Sequence, residues 1–302
     1  MSKNVALVLS SGGAKGIAHI GAIEELERQG FNITSVSGSS IGTVIGGLCA
    51  MGKLRQYSDW VKSLDRLAIW GLLDFTFTSN GLLKGERIFD KMKTFIPDVN
   101  IEDMDKPFTA VATDILNERE VVFDHGSYYK AARASIAIPG MFTPVRYKDT
   151  FLVDGGILNP VPIEHVKRNP DDLLVVVNLY GEKLPKAEKS GNANDSNGNG
   201  NGNGHGKEHG KEQPKNGLNG LRSTLSNLID TGDKRSLGYI SLLSTSSAAM
   251  IHKMARINIE RFQPDMVIDI PADTANTFDF HRADELIKIG SDAAKRAISE
   301  LV

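Results

Sequence analysis

Val5-Ala6-Leu7-Val8-Leu9 is an unbroken apolar run. It turns at once into Ser10-Ser11-Gly12-Gly13-Ala14-Lys15-Gly16, then into a helical pattern from Ile17 to Gln29 that Gly30 stops. A run this short has the length of a strand and lacks the polar alternation of a half-exposed one. It suits a strand covered on both faces, as in a parallel sheet. A second strand, short and around Ser35–Ser37, feeds Gly38-Ser39-Ser40-Ile41-Gly42 and another helix. Strand, glycine loop, helix, strand, glycine turn, helix is the order of a doubly wound α/β sheet, whose functional loops lie at the carboxyl ends of its strands.

Further strands are expected at Phe108–Thr113, Glu120–Phe123, Phe151–Val153, Leu173–Val177 and Met266–Ile270. Helices are expected at Arg55–Leu64 and Tyr128–Ser135, the latter ended by Pro139, which disfavours helical geometry at Ile138. Leu221–Ile259 reads as helical, and Arg282–Leu301 repeats Leu286, Ile289, Ala293, Ala297 and Leu301 at helical spacing. Ser190–Gly220 differs from everything around it, with nine Gly, eight Asn and no aromatic residue. Such a stretch buries too little apolar surface to offset its ordering entropy, so residues 190–220 are expected to be a disordered insertion. His205 and His209 within it read as solvated side chains rather than a metal pair. The expectation is one domain over residues 1–302, a three-layer α/β/α fold with a mainly parallel central sheet. Residues 221–302 would form a C-terminal helical portion packed on that domain.

The balance of 35 basic and 37 acidic residues, net charge −2, offers no basic tract for nucleic acid. Cys49 is the only cysteine, which excludes an intrachain disulfide and a cysteine-rich metal site; its apolar helical neighbours make it a buried small hydrophobe. The apolar stretch near the N-terminus is too short for a signal-peptide core, and no run approaches the roughly 18 apolar residues of a membrane span. A cytoplasmic protein is the expectation.

Ser40 lies between Gly38 and Gly42, which admits two readings. One is a strand-to-helix turn with a serine N-cap; the other is a nucleophile elbow, where the serine of G-x-S-x-G stands out at the top of a strand. A nucleophilic serine needs a base and donors for the developing oxyanion. The backbone N–H groups of the glycine loop, bare at a helix start, would serve as donors or would cradle a phosphate. The loop lacks the P-loop spacing, and Ser11 stands at the first glycine position of G-x-G-x-x-G. For the base, His281 after the Met266–Ile270 strand is the best histidine, while His19 packs in the first helix. Asp154, at the end of Phe151-Leu152-Val153 and followed by Gly155 and Gly156, is the stronger signal, although Asp before Gly is also ordinary turn chemistry.

In order, Gly12-Gly13-Ala14-Lys15-Gly16, Gly38-Ser39-Ser40-Ile41-Gly42 and Asp154-Gly155-Gly156 resemble the patatin-like phospholipase family, as does Ala134-Ser135-Ile136-Ala137-Ile138-Pro139-Gly140-Met141-Phe142. The likeness covers Val5–Val177. It implies a Ser40–Asp154 dyad that hydrolyses acyl esters of phospholipids or lysophospholipids, with the N–H groups of Gly12, Gly13 and Ala14 holding the oxyanion. Lys15, Gly16, Gly38, Gly42, Gly155 and Gly156 support the motifs. No metal and no organic cofactor are expected; the partner is the lipid substrate, with peripheral membrane contact. The family often has arginine where this chain has Lys15, which bears on headgroup selectivity if that side chain fixes the loop or meets a lipid phosphate. An ordinary carboxylate is a weak base, with a reference pKa of about 3.9, so the implied mechanism leans on the oxyanion donors. Rival readings are an acyltransferase using the same acyl-enzyme, an inactive lipid-binding protein and a His281-dependent hydrolase. The aromatic stretch Leu67–Phe77 reads as an acyl channel or lid, or as core.

Overall fold

The computed structural model describes residues 3–78, 81–183 and 239–301. The expected insertion at 190–220, with His205 and His209, and the first part of the 221–259 helix lie outside them. The chain divides into two units, residues 1–184 with 249–302, and residues 185–248.

The first unit is built on an eight-stranded mixed sheet in the order β10-β9-β1-β2-β5-β8-β7, with β6 also paired to β5. The strands are β1 (Lys3–Leu9), β2 (Phe31–Ser39), β5 (Phe108–Asp114), β6 (Arg119–Phe123), β7 (Val145–Tyr147), β8 (Thr150–Asp154), β9 (Leu173–Gly181) and β10 (Met266–Pro271). From β10 through β9, β1 and β2 to β5 all pairings are parallel; β6 and β8 on β5, and β7 on β8, are antiparallel. A separate hairpin joins β3 (Phe75–Thr78) to β4 (Gly81–Leu83).

The helices are α1 (Ala18–Arg28), α2 (Ile41–Ala50), α3 (Leu54–Lys62), α4 (Arg66–Leu72), α5 (Glu86–Lys93), α6 (Tyr128–Ser135), α7 (Tyr239–Phe262) and α8 (Ala283–Leu301). β-strand alternation sends successive side chains to opposite faces, and the core divides accordingly. Val5, Leu7, Leu9, Val175 and Val177 pack with α1, α2 and α8 through Ile20, Ile23, Ile45, Leu48 and Leu286. Val8, Leu174 and Val176 face the other way and pack with Ala255 and Ile259 of α7. The result is the expected three-layer α/β/α architecture.

Some boundaries differ from expectation. β2 is nine residues long, because Asn32 and Thr34 are tolerated outside the buried half of the strand while Phe31 and Ile33 pack inward. The first helix starts at Ala18; Gly13–Ile17 form a tighter 3-10 turn. The expected strand at Met266–Ile270 forms as β10, one residue longer, and extends the sheet as its edge strand beside β9.

The topology sets two strand ends face to face. β2 runs along β5 until Ser39 pairs with Val111. β8, running the other way, pairs along β5 until Asp154 meets Ala112. The carboxyl ends of two strands therefore arrive at neighbouring positions of a third.

Candidate active site

Ser40, immediately after β2, has φ 55° and ψ −123°. It is one of four non-glycine residues with positive φ among those described, in a region that costs an L-residue of order 1–3 kcal/mol. Ser40 makes no side-chain cap on α2, so the N-cap reading of this turn fails. Its hydroxyl instead donates to Asp154 Oδ2 at 2.5 Å. The flanking glycines make the turn sterically possible: a Cβ on Gly38 would lie 2.3 Å from Gly42 O, and one on Gly42 would lie 2.2 Å from Leu9 O.

Asp154 is 5% exposed. Its second oxygen, Oδ1, accepts the Gly156 N–H at 2.8 Å. Burial pushes its pKa up to about 7, against the opposing pull of the hydrogen bonds from Ser40 and Gly156. The expectation of a weak base is thereby corrected. Desolvation brings this carboxyl close to neutral pH, where a general base works best.

The glycine loop closes over the same place. A Cβ on Gly16 would lie 2.3 Å from the Ile41 side chain, next to Ser40, and one on Gly156 would lie 2.5 Å from Ser11 Oγ. The loop is tied to the end of β9 by several bonds. Ser10 Oγ accepts the Leu179 N–H at 2.9 Å, and the Ser11 and Tyr180 hydroxyls are 2.5 Å apart. Lys15 Nζ donates to Leu179 O at 2.9 Å and Ala272 O at 3.1 Å, and lies 5.2 Å from the centre of the Tyr180 ring. Lys15 thus fixes the loop, and burial lowers its pKa to about 8.

One expected donor is withdrawn. The Ala14 N–H donates to Thr277 O at 3.0 Å, so it is already occupied. Among the described residues the N–H groups of Gly12 and Gly13 have no such partner, and they stand at the start of the 3-10 turn, Gly13 with φ 61°.

Among the described residues, neither His19 nor His281 hydrogen-bonds Ser40. His19 is fully buried and donates from Nε2 to Ser10 O at 2.9 Å, and burial lowers its pKa to about 4. His281 sits in the 3-10 turn Phe280–Arg282. Cys49 is buried, which pushes its thiol up to about 12. Among the described residues, Glu120, Glu164 and His165 are the group whose ligand atoms come within 4.8 Å of one another. Glu120 Oε2 already accepts from His165 Nε2 at 2.7 Å and from Asn159 Nδ2 at 3.0 Å, which ties the loop after Asp154 to β6.

Sequence reasoning gave no role to Ser135 or Thr43. Ser135 Oγ accepts the Ser40 N–H at 2.8 Å and lies 2.7 Å from Thr43 Oγ1. The sequence signal for Ser135 is its place at the end of an alanine-rich helix, in the Ala134–Phe142 segment that resembles the family.

The family model for patatin-like phospholipase matches residues 7–167. Uncharacterized NTE family proteins of Mycobacterium bovis and Mycobacterium tuberculosis are similar at 31% identity over 336 residues, covering 98% of this chain and 92% of theirs. Lysophospholipase NTE1 of Meyerozyma guilliermondii is 29% identical over 183 residues, which is 58% of this chain and 12% of that protein. Among solved structures, VipD of Legionella pneumophila aligns with a TM-score of 0.48 and 15% identity, over 99% of this chain and 67% of that one.

Proposed function

Because the chain belongs to the patatin-like phospholipase family, we propose that it is a serine hydrolase of lipid acyl esters whose nucleophile is Ser40 and whose base is Asp154. The observation that carries this reading is the 2.5 Å hydrogen bond from a strained, buried serine to a carboxyl that burial holds near neutral pKa. Asp154 takes the Ser40 proton as Oγ attacks the ester carbonyl. The oxyanion so formed is met by the Gly12 and Gly13 N–H groups, where each preorganised donor is typically worth about 10²–10³ in rate. Collapse of the intermediate expels the alcohol, which receives the proton from Asp154 and leaves Ser40 acylated. Water then attacks the acyl group with Asp154 again as base, releasing the fatty acid and restoring the serine.

The substrate class follows the family. A lysophospholipid is the first choice, because the fungal relative carries that name. On the substrate side we assign α4 to the lipid: Leu67 is 79% exposed on it, while Ile69 turns inward. A large apolar side chain held in solvent on a helix suits contact with a lipid surface. Among the described residues no helix is long and apolar enough to cross a membrane.

The test is hydrolysis of a short chromogenic ester and of lysophosphatidylcholine by the wild type, Ser40→Ala and Asp154→Asn, each shown to be folded. Both variants are expected to lose at least about a thousandfold in kcat. Wild-type activity in either variant would remove that residue from the mechanism.

A further inference from the structure

The backbone N–H groups of Ser40 and Asp154 both end on one three-residue stretch at the close of α6. Ser40 N–H donates to Ser135 Oγ at 2.8 Å, and Asp154 N–H donates to Ala137 O at 3.0 Å. The two strand ends are thus hung from a single rigid turn, separate from the hydroxyl–carboxylate bond between their side chains.

Ser135 is fully buried and so is Thr43. Their hydroxyls form a chain between two carbonyls: Gly38 O lies 2.9 Å from Thr43 Oγ1, which lies 2.7 Å from Ser135 Oγ, which lies 2.6 Å from Val111 O. Two hydroxyl protons serve these three gaps. A hydroxyl has one proton and two lone pairs, so every way of placing the protons leaves Ser135 a lone pair for the Ser40 N–H. Gly38 O belongs to β2, which delivers Ser40, and Val111 O to β5, the strand on which β2 and β8 are both paired.

We propose that Ser135 is a positioning residue: its hydroxyl, backed by Thr43, holds Ser40 at positive φ and so keeps Oγ in line with Asp154. The proposal rests on the reading of Ser40 as nucleophile. Without this acceptor the Ser40 N–H is buried and unpaired, and the strained residue gains by relaxing toward φ below zero, which swings Oγ off the carboxylate. Ser135 touches neither the substrate nor the reacting atoms; it acts through the backbone of Ser40.

The experiment compares the wild type with Ser135→Ala, Thr43→Val and Thr43→Ser. It uses two probes: kcat and KM on a short chromogenic ester, and the rate of covalent labelling by a fluorophosphonate, which needs an activated serine but no turnover. Ser135→Ala is expected to lower kcat and the labelling rate together by about a hundredfold, the scale of a small misplacement in an active site, with KM within about twofold. Thr43→Val is expected to lower both by about tenfold, and Thr43→Ser, which keeps the hydroxyl, to recover most of that loss. A packing role alone would lower the melting temperature and leave kcat of the folded enzyme in place. Labelling and kcat of folded Ser135→Ala within about threefold of wild type would overturn the proposal. If Ser135→Ala does not fold, equal kcat for Thr43→Val and Thr43→Ser overturns it instead. Failure of the underlying reading looks different: Ser40→Ala would then still turn over or still be labelled.

Discussion

The Ser40 hydroxyl and the Asp154 carboxylate meet at 2.5 Å in a place where the carboxylate is 5% exposed. Its acidity is set by that burial, with a pKa raised to about 7. Under the proposed mechanism Asp154 must be ionised, so kcat/KM on a neutral ester is expected to rise with pH and reach half its plateau near 7. A pH–rate profile between about pH 4 and pH 9 checks this. A midpoint near 4 would mean that the carboxylate titrates as it does in water.

The same shift has a stability consequence of opposite sense. Asp154 holds its proton to about pH 7 when folded and to about 3.8 otherwise. Between those values the folded chain binds more protons than the unfolded one, so stability attributable to this residue falls as pH rises through the window. Asparagine has no such cost. Asp154→Asn should therefore gain on the wild type as pH rises, with a melting temperature higher by about 4 °C or more at pH 8. Melting curves at pH 5 and pH 8 measure it, and a gap that does not widen would refute the buried-charge account.

Two glycines should respond in opposite directions to alanine. A Cβ on Gly155 would sit 2.1 Å from Val111 O, a backbone atom with no room to yield. Gly155→Ala is expected to destabilise by several kcal/mol and to abolish activity, since Val111 O is also the acceptor of the Ser135 hydroxyl. Gly71, inside α4, has open space around its Cβ direction and no positive φ. Gly71→Ala should raise stability by about 0.5–1 kcal/mol, read by denaturant unfolding.

If α4 meets lipid, replacing its most exposed apolar side chain should matter only for aggregated substrate. Leu67→Ser is expected to lower hydrolysis of vesicle phospholipid severalfold while leaving the short soluble ester unaffected. Equal losses on both substrates would place Leu67 elsewhere in the mechanism.

Much of this site was legible in the residues. Three glycine motifs in a fixed order located Ser40 and Asp154, and the short apolar run Val5–Leu9 announced a covered parallel strand. What stayed hidden came from partners far away in the chain. Ala14 looked like an oxyanion donor until Thr277 supplied a carbonyl to its N–H. For Lys15 the sequence left open whether it fixes the loop or meets a phosphate; its ammonium ends on the carbonyls of Leu179 and Ala272. The basicity of Asp154 depends on how completely other residues exclude water from it, which no local pattern records. Ser135 lies in a motif that gives it no role, because a serine at a helix end is commonplace until its neighbour across the sheet is known.

Ser39 and Asp154 take consecutive rungs on β5, opposite Val111 and Ala112. The separation of Ser40 and Asp154 is therefore measured in ladder steps of about 3.3 Å, not in loop lengths. The connection between α2 and β5 can lengthen, shorten or be replaced without altering that spacing, whereas the one between β6 and β8 must keep the end of α6, where Ser135 and Ala137 hold the two backbones. A single residue added to or deleted from β5 would misalign it at once. Variation among relatives of this chain, and any attempt to redirect it to new esters, has the connecting segments to work with, while the central strand serves as the fixed ruler.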